Sequence, residues 1–345
     1  MVALEISDDL FEGTVSLERK DGWVRPWRLP FQKRELFPSP DDGLVLHSQS
    51  PSGVRLRFQT ESRNLILILK IAAEWKADAS ALTDNERVTI DLSADGELVQ
   101  TIPLFSDTDR ISIDLNTTGA VFELWLPQHF PVDLRRIEID EGATLRVLHD
   151  NRLKWLTYGS SITKCRGAHS PARTWPAIAA RHIGLNLTSL GFGGQCHIDP
   201  MVGRVMRDLA ADVITLKLGI NIFGSSSLNS RTYEAAAIGF IETLREKHRD
   251  TPIGVVTSIY SDRSETNDVG LTLDQYREMT RDVVRRLISA GDSHLHLFEG
   301  MDLLGEADAK AGMMADGVHP NGDGYEVIGT RFAENVLPVL TDSLR

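Results

Sequence analysis

Ser161, Asp316 and His319 supply a hydroxyl, a carboxylate and an imidazole, the three groups that together turn a serine into a nucleophile. A serine hydroxyl attacks poorly until an imidazole takes its proton, and the imidazole does this best when a carboxylate fixes its tautomer. In Asp316-Gly317-Val318-His319-Pro320 the acid and base stand three residues apart, a spacing at which two side chains of a tight turn can point the same way. The serine lies far upstream in Tyr158-Gly159-Ser160-Ser161-Ile162-Thr163, just after an apolar run, so the fold has to carry Ser161 to His319. Two further blocks offer donors for the charge that develops on a carbonyl oxygen under attack. The glycines of Gly191-Phe192-Gly193-Gly194 let a backbone N–H approach substrate closely, and Asn221 of Gly219-Ile220-Asn221 is an uncharged donor.

These blocks need elements to position them. From Leu153 onward strand and helix patterns alternate. Strands are expected at Trp155 to Tyr158, Leu185 to Leu190, Val213 to Leu218, Ile253 to Ser258 and His294 to Phe298. Helices are expected at Trp175 to Ile183, Val202 to Ala210, Arg231 to Lys247, Gln275 to Ser289 and, as one run, Tyr325 to Val339. Thr272 and Gln275 carry the signature of a capping box. Such alternation implies a flavodoxin-like α/β fold, a parallel sheet in three layers with helices on both faces. On that plan Ser161 follows the first strand, Gly193 and Gly194 the second and Asn221 the third, while Asp316 and His319 precede the last helix. All four blocks then fall on the carboxyl rim, where such sheets hold ligands.

The first half has a different rhythm: short alternating runs at Val54 to Phe58, Leu65 to Ile71, Arg87 to Leu92, Ile111 to Leu115, Val121 to Leu126 and Ile137 to Ile139, with no amphipathic helix. This pattern reads as an all-β sandwich, jelly-roll-like, over residues 1–150, ahead of a catalytic domain over 151–345, with the boundary at the polar turn Asp150-Asn151.

The four blocks, in this order and at these separations, resemble those of the SGNH or GDSL-type hydrolase superfamily. The resemblance covers residues 153–345. It implies that Ser161 is the nucleophile, that Asp316 and His319 complete the triad, and that the amides of Ser161 and Gly194 and the side chain of Asn221 form the oxyanion hole. Ser160 stands where the superfamily usually has an aspartate, and Ile222 where an aspartate often follows the asparagine; neither is a triad or oxyanion position. A sandwich ahead of such a domain resembles the two-domain carbohydrate esterases of the superfamily, and also an acyltransferase that tailors a tetracycline-type polyketide.

The implied reaction is serine-dependent ester hydrolysis, most simply deacetylation of a decorated sugar or another small polar ester, without metal or cofactor. Acyl transfer to an alcohol would use the same residues, and a catalytically silent carbohydrate-binding protein is the reading from another class. A net charge of −12 speaks against nucleic acid and against an anionic membrane surface. No apolar stretch approaches the length of a bilayer span and no signal-peptide pattern opens the chain, so a cytoplasmic location is expected. Cys165 and Cys196 are too few for a disulfide framework or thiolate zinc site, and Ser161, not Cys165, holds the nucleophile position. His294 and His296 lack a third ligand at suggestive spacing, His197 and Asp199 are candidates for lining the cleft, and Trp23, Trp27, Trp75 and Trp125 are either sandwich core or sugar platforms. The first domain, together with the polar loop from Tyr260 to Leu271, is expected to shape substrate entry.

Overall fold

Between residues 2 and 147 the alternating runs pair into two antiparallel sheets, seen in a computed structural model that describes residues 1–72 and 88–344. Trp75, and Arg87 at the head of an expected strand, lie outside the described residues. One sheet runs in the order Ser16–Lys20, Trp23–Trp27, Val132–Ile139, Asn64–Ile71, Arg110–Asp114, with Val2–Glu5 also paired to Val132–Ile139. The other runs Leu145–Val147, Arg55–Thr60, Val121–Trp125, Val88–Ala94, Glu97–Leu104, with Phe11–Glu12 also paired to Arg55–Thr60. Side chains alternate across a strand, so Leu65, Leu67, Leu69 and Ile71 enter one apolar core together with Leu56, Phe58, Phe122 and Leu124. A six-residue helix, Gly43–Ser48, interrupts this all-β half where the sequence suggested none.

The second half is the three-layer α/β domain. Its five parallel strands are ordered Asn186–Gly191, Lys154–Gly159, Val213–Lys217, Ile253–Val256, Leu295–Phe298, so the first strand in sequence lies second in space and the order reverses between it and its neighbours. The central strands are buried on both faces, which is why they read as largely apolar runs and not as alternating patterns, with Thr215 and Lys217 buried among them. Adjacent parity decides the layers. Trp155 stacks with Phe332 and packs at a tilt against Trp175, joining helices Trp175–Ile183 and Gly322–Asn335 to one face, while Tyr158 stacks on Phe240 of helix Tyr233–Arg245 on the other. Helices Pro200–Asp208 and Leu273–Ser289 flank Tyr233–Arg245. The Thr272–Gln275 capping box is formed as expected. The last helix, expected as one run to Val339, stops at Asn335 and resumes as Leu337–Thr341, because Pro338 has no N–H for a continuous ladder and its ring clashes with the preceding turn.

The halves are joined by buried polar groups as well as apolar ones. Arg28 is wholly buried; its guanidinium donates to the carbonyls of His47 and Ser50 in the first half and of Ser189 and Gly191 at the end of the second parallel strand, and lies over the Phe192 ring. Arg55, also fully buried, donates to Leu187 O at 3.0 Å and Asn186 Oδ1 at 2.7 Å. Leu29, Phe37, Leu44 and Trp125 of the first half belong to the same apolar cluster as Trp155 and Leu187.

An ionic network sits at this junction. Glu123 meets Arg55 at 3.3 Å and also pairs with Arg152, which holds Asp150 at 2.6 Å. Burial would push the Glu123 carboxyl up, but Arg55, Arg152 and Arg57 outweigh it and hold it below its ordinary 4.5. Asp150 is depressed too: Arg152 outweighs its burial. A carboxyl depressed in the folded state stabilises that state above its unfolded value, and the contribution is lost as pH falls through the folded value. Thermal unfolding is therefore expected to lose stability on acidification below 4.5, and Glu123→Gln should lower stability at neutral pH while flattening that acid limb. Parallel acid limbs for the two proteins would contradict the assignment.

Candidate active site

Ser161 is presented by the turn from the first parallel strand into helix Ser161–Lys164. Ser160, in extended backbone at φ −82°, caps that helix: its Oγ accepts the Ile162 N–H at 3.2 Å and the residue is fully buried. Its neighbour Ser161 is half-buried and lines a cavity of about 400 Å³. The Ser161 Oγ lies 2.8 Å from His319 Nε2, and His319 Nδ1 lies 2.8 Å from Asp316 Oδ2. With the Nδ1 proton given to Asp316, Nε2 is left to accept from the serine.

The acid is fixed by its own turn. Asp316 Oδ1 accepts the backbone N–H groups of Val318 at 3.0 Å and His319 at 2.7 Å. Burial alone would raise its carboxyl, and these two amides with the His319 ring bring it below its ordinary value, so it is ionised at neutral pH. Gly317 has φ +72°, a conformation that favours glycine, and a Cβ there would also displace the exposed Asp262 carboxylate. The loop after the fourth strand holds this turn from outside: Asp262 N–H donates to Gly317 O at 2.8 Å and Ser261 Oγ to the same oxygen at 3.1 Å. The segment expected to shape substrate entry does not line the Ser161 cavity; what it does is anchor the Asp316–His319 turn.

The other two blocks end the second and third strands, on the same rim. Gly194 takes φ +67°. Asn221 opens helix Ile220–Gly224, and its Oδ1 accepts the Cys196 N–H at 3.0 Å, which leaves its NH₂ end to donate. The Ser161 amide lies in the first turn of its helix, where amides have no acceptor within the helix. The fold therefore brings Ser161, Asp316 and His319 into hydrogen-bonded sequence and sets Gly194 and Asn221 at neighbouring strand ends.

Residues of the first half complete the cavity, and sequence reasoning missed them. His47, from helix Gly43–Ser48, and His129 line it with Ser161, Lys164, Arg166, Gly193, Tyr325 and His319. His47 packs flat against the glycine loop: a Cβ on Gly193 would sit 3.0 Å from its Cε1, and one on Gly43 would sit 2.5 Å from Gln195 Nε2. Lys164 Nζ meets His47 Nδ1 at 2.7 Å. Burial, then the charges of Lys164 and Arg28, push the His47 imidazole down to about 3, so it is neutral, and burial followed by Arg28 and Arg166 drives the Lys164 amine well below its ordinary value. No spacing rule links residue 47 to residue 164.

The remaining candidates lie elsewhere. His197 is not among the cavity residues; it braces the glycine loop, Nε2 lying 2.9 Å from Gly194 O and Nδ1 2.8 Å from Ser227 Oγ. Burial raises the Asp199 carboxyl. Cys165 and Cys196 are free and buried, and burial pushes both thiols up, Cys196 to about 12, so neither is a ready thiolate. Trp27 and Trp125 are core residues, with indole N–H groups given to Glu18 and Ser93, whereas Trp23 is half-buried beneath Lys70. Among the described residues His294 and His296 join no third acidic, histidine or cysteine side chain in a metal-binding group.

Comparison with known proteins places these observations. Residues 10–135 match the N-terminal domain of SsfX3, and residues 154–341 match the GDSL-like Lipase/Acylhydrolase family. No curated protein matches the chain. Among solved structures, the salicylyl-acyltransferase SsfX3 from a tetracycline biosynthetic pathway is similar over 98% of both chains, with 32% identity and a TM-score of 0.86. A GDSL-like lipase from Bacteroides ovatus is similar over 99% of this chain and 98% of its own, at 21% identity and a TM-score of 0.78. A family two carbohydrate esterase from Cellvibrio japonicus shares the fold over 100% of this chain and 99% of its own, at 15% identity and a TM-score of 0.63. A chain with this triad-like geometry, this sheet order and a family match spanning its whole α/β half belongs to the GDSL-like lipase/acylhydrolase family.

Proposed function

We propose that the protein is a serine-dependent ester hydrolase that works through an acyl-serine intermediate, with Ser161 as nucleophile, His319 as general base and acid, and Asp316 as the group that orients it. The observation that carries this reading is the unbroken relay from Ser161 Oγ through His319, at 2.8 Å on each side, to an ionised Asp316. Ser161 Oγ forms a bond to the ester carbonyl carbon as its proton passes to His319 Nε2. The tetrahedral oxyanion is held by the amides of Ser161 and Gly194 and by Asn221 Nδ2. As it collapses, His319 returns the proton to the departing alcohol oxygen. Water then attacks the acyl carbon as its proton passes to His319, and the bond from that carbon to Ser161 Oγ breaks as His319 returns the proton to Ser161, which releases the acid. This chain's own residues suffice for each of these steps.

Hydrolysis is favoured by exposure: the side chains of His319 and Asp316 are 38% and 56% accessible, so water reaches the acyl-serine from the open side of the cavity. A second reading, transfer of the acyl group to an acceptor alcohol, is favoured by the 32% identity over 98% of both chains to a protein described as a salicylyl-acyltransferase. The two are separated by product partitioning. Phenyl acetate supplied with a series of sugar and phenolic alcohols yields acetate in the first case and acetylated acceptor in the second; unchanged ester in every mixture would refute both.

Ser161→Ala should abolish turnover while leaving the melting temperature close to that of the natural chain, since one rim oxygen is removed from outside the core. Loss of activity in Ser160→Ala together with survival in Ser161→Ala would move the nucleophile by one residue. Asp316→Asn is expected to lower kcat by about 10⁴-fold, because an amide cannot hold His319 in the required tautomer. A nearly unchanged kcat in that variant would assign the orienting role to another group.

A further inference from the structure

Lys217 ends the third parallel strand, Val213–Lys217, four residues before Asn221, and is 4% exposed. Its buried Nζ has no hydrogen-bond partner, carboxylates included, among the described residues. It starts from beneath the nucleophile's turn: a Cβ on Gly159, two residues before Ser161, would touch Thr163 Oγ1 and lie 3.4 Å from Lys217 Cβ. The titratable groups near enough to act on the amine are the thiols of Cys196 and Cys165 and the Arg277 guanidinium. Cys165 caps helix Ser161–Lys164, and Cys196 gives its N–H to Asn221 Oδ1. Arg277, paired with Asp274, donates to the carbonyls of Ser258 and Ile259 beyond the fourth strand. The amine is thus bracketed by the nucleophile's helix and the asparagine's loop. None of these neighbours is an anion, since burial pushes both thiols up and keeps them protonated. Burial pushes the Lys217 ammonium down to about 8, which leaves it charged at neutral pH. A buried charge without a partner costs stability, and an apolar side chain of similar length would remove that cost. Such costs are kept at active sites, where stability trades against activity.

We propose that Lys217 supplies a fixed positive charge that stabilises the oxyanion formed at Ser161, acting through the buried interior and without touching substrate. This deepens the hydrolase reading and rests on Ser161 being the acyl acceptor. When Ser161 Oγ attacks, negative charge develops on the carbonyl oxygen. A unit positive charge on the order of 10 Å away, across an interior of effective dielectric about 20, favours that charge by about tenfold in rate. The hydrogen-bond donors of the rim fix where the oxyanion lies, and the Lys217 charge lowers its energy there.

The test compares the full-length natural chain with Lys217→Met by phenyl acetate hydrolysis and by thermal unfolding, between about pH 6 and pH 10. At pH 7 the variant is expected to turn over about tenfold more slowly, with little change in KM. The natural kcat should fall by about the same factor as pH rises through about 8, where the amine loses its proton, and should there meet the flat profile of the variant. Stability is expected to move the other way. A group held below its unfolded value of 10.5 binds its proton less well in the folded chain, so Lys217→Met is the more stable protein at pH 7, and its advantage shrinks as pH rises from about 8 to 10.5. A variant that is slower and also less stable would make Lys217 a packing residue, and an unchanged kcat would leave its charge without a role; either result overturns the proposal. If the variant does not fold, the natural chain decides alone: a kcat that stays level across pH 8 overturns the proposal and an alkaline fall supports it. Ser161→Ala separates this proposal from the reading beneath it. An inactive Ser161→Ala beside an unchanged Lys217→Met refutes the role of the charge and keeps the serine mechanism, whereas hydrolysis at the natural rate by Ser161→Ala refutes the serine mechanism itself.

Discussion

The buried guanidinium of Arg28 is the constraint on which the shape of the Ser161 cavity depends. It is fully desolvated, and burial draws it down to about 9, which still leaves it protonated at neutral pH. Its stability comes from carbonyl oxygens of both halves, at His47 and Ser50 on one side and Ser189 and Gly191 on the other. A planar fork of fixed N–H directions satisfies several acceptors at once and tolerates little displacement. The end of the second strand is therefore locked to helix Gly43–Ser48, and that lock seats His47 on the glycine loop. Removing one side of such an arrangement would leave a buried cation or a set of buried carbonyls without partners. The sandwich thus forms part of the wall of the cavity that Ser161 lines, and the two halves meet around Trp125, Trp155 and Leu187.

On that base the relay needs few special devices. Strand order places the ends of the first, second and third strands side by side, and the chain delivers a serine, a glycine loop and an asparagine to those three ends. The acid and base come from a single turn whose conformation is set by Gly317 and by the backbone amides that Asp316 accepts. Each accessory contact serves geometry: Cys196 N–H orients Asn221, His197 braces Gly194, and Ser261 and Asp262 hold Gly317. The Ser161–His319–Asp316 hydrogen bonds are formed without any ligand, which is the pre-organisation that the proposed mechanism needs.

Most of the α/β half was legible because local signals and tertiary demands agree there. The buried strands are mostly apolar runs, Trp175–Ile183 lies between a proline-bearing start and Gly184, and Thr272 and Gln275 announce their helix. The four polar blocks could be placed on one rim from topology alone. Pro338 also stood in plain view, and the single final helix was an overextension past it. What could not be read was everything set by the meeting of the two halves. His47 sits on a six-residue helix with no amphipathic pattern, Lys164 reads as an ordinary polar residue three positions past the serine, and Arg28 as a surface charge in a strand-rich region. Their burial follows from contacts between residues more than 100 positions apart, which no local window contains. The tryptophans show the same limit from the other side: Trp27 and Trp125 are core, and composition alone could not distinguish that from a sugar platform.

The central claim is that Ser161 becomes covalently acylated, and the most direct measurement is peptide mass spectrometry of the full-length protein after reaction with an ester-mimicking phosphonate. The account predicts one adduct per chain, located on Ser161, formed quickly in the natural protein and slowly in Asp316→Asn. An adduct on Ser160, on a cysteine or on Lys164, or no adduct at all in a protein that hydrolyses esters, would contradict it.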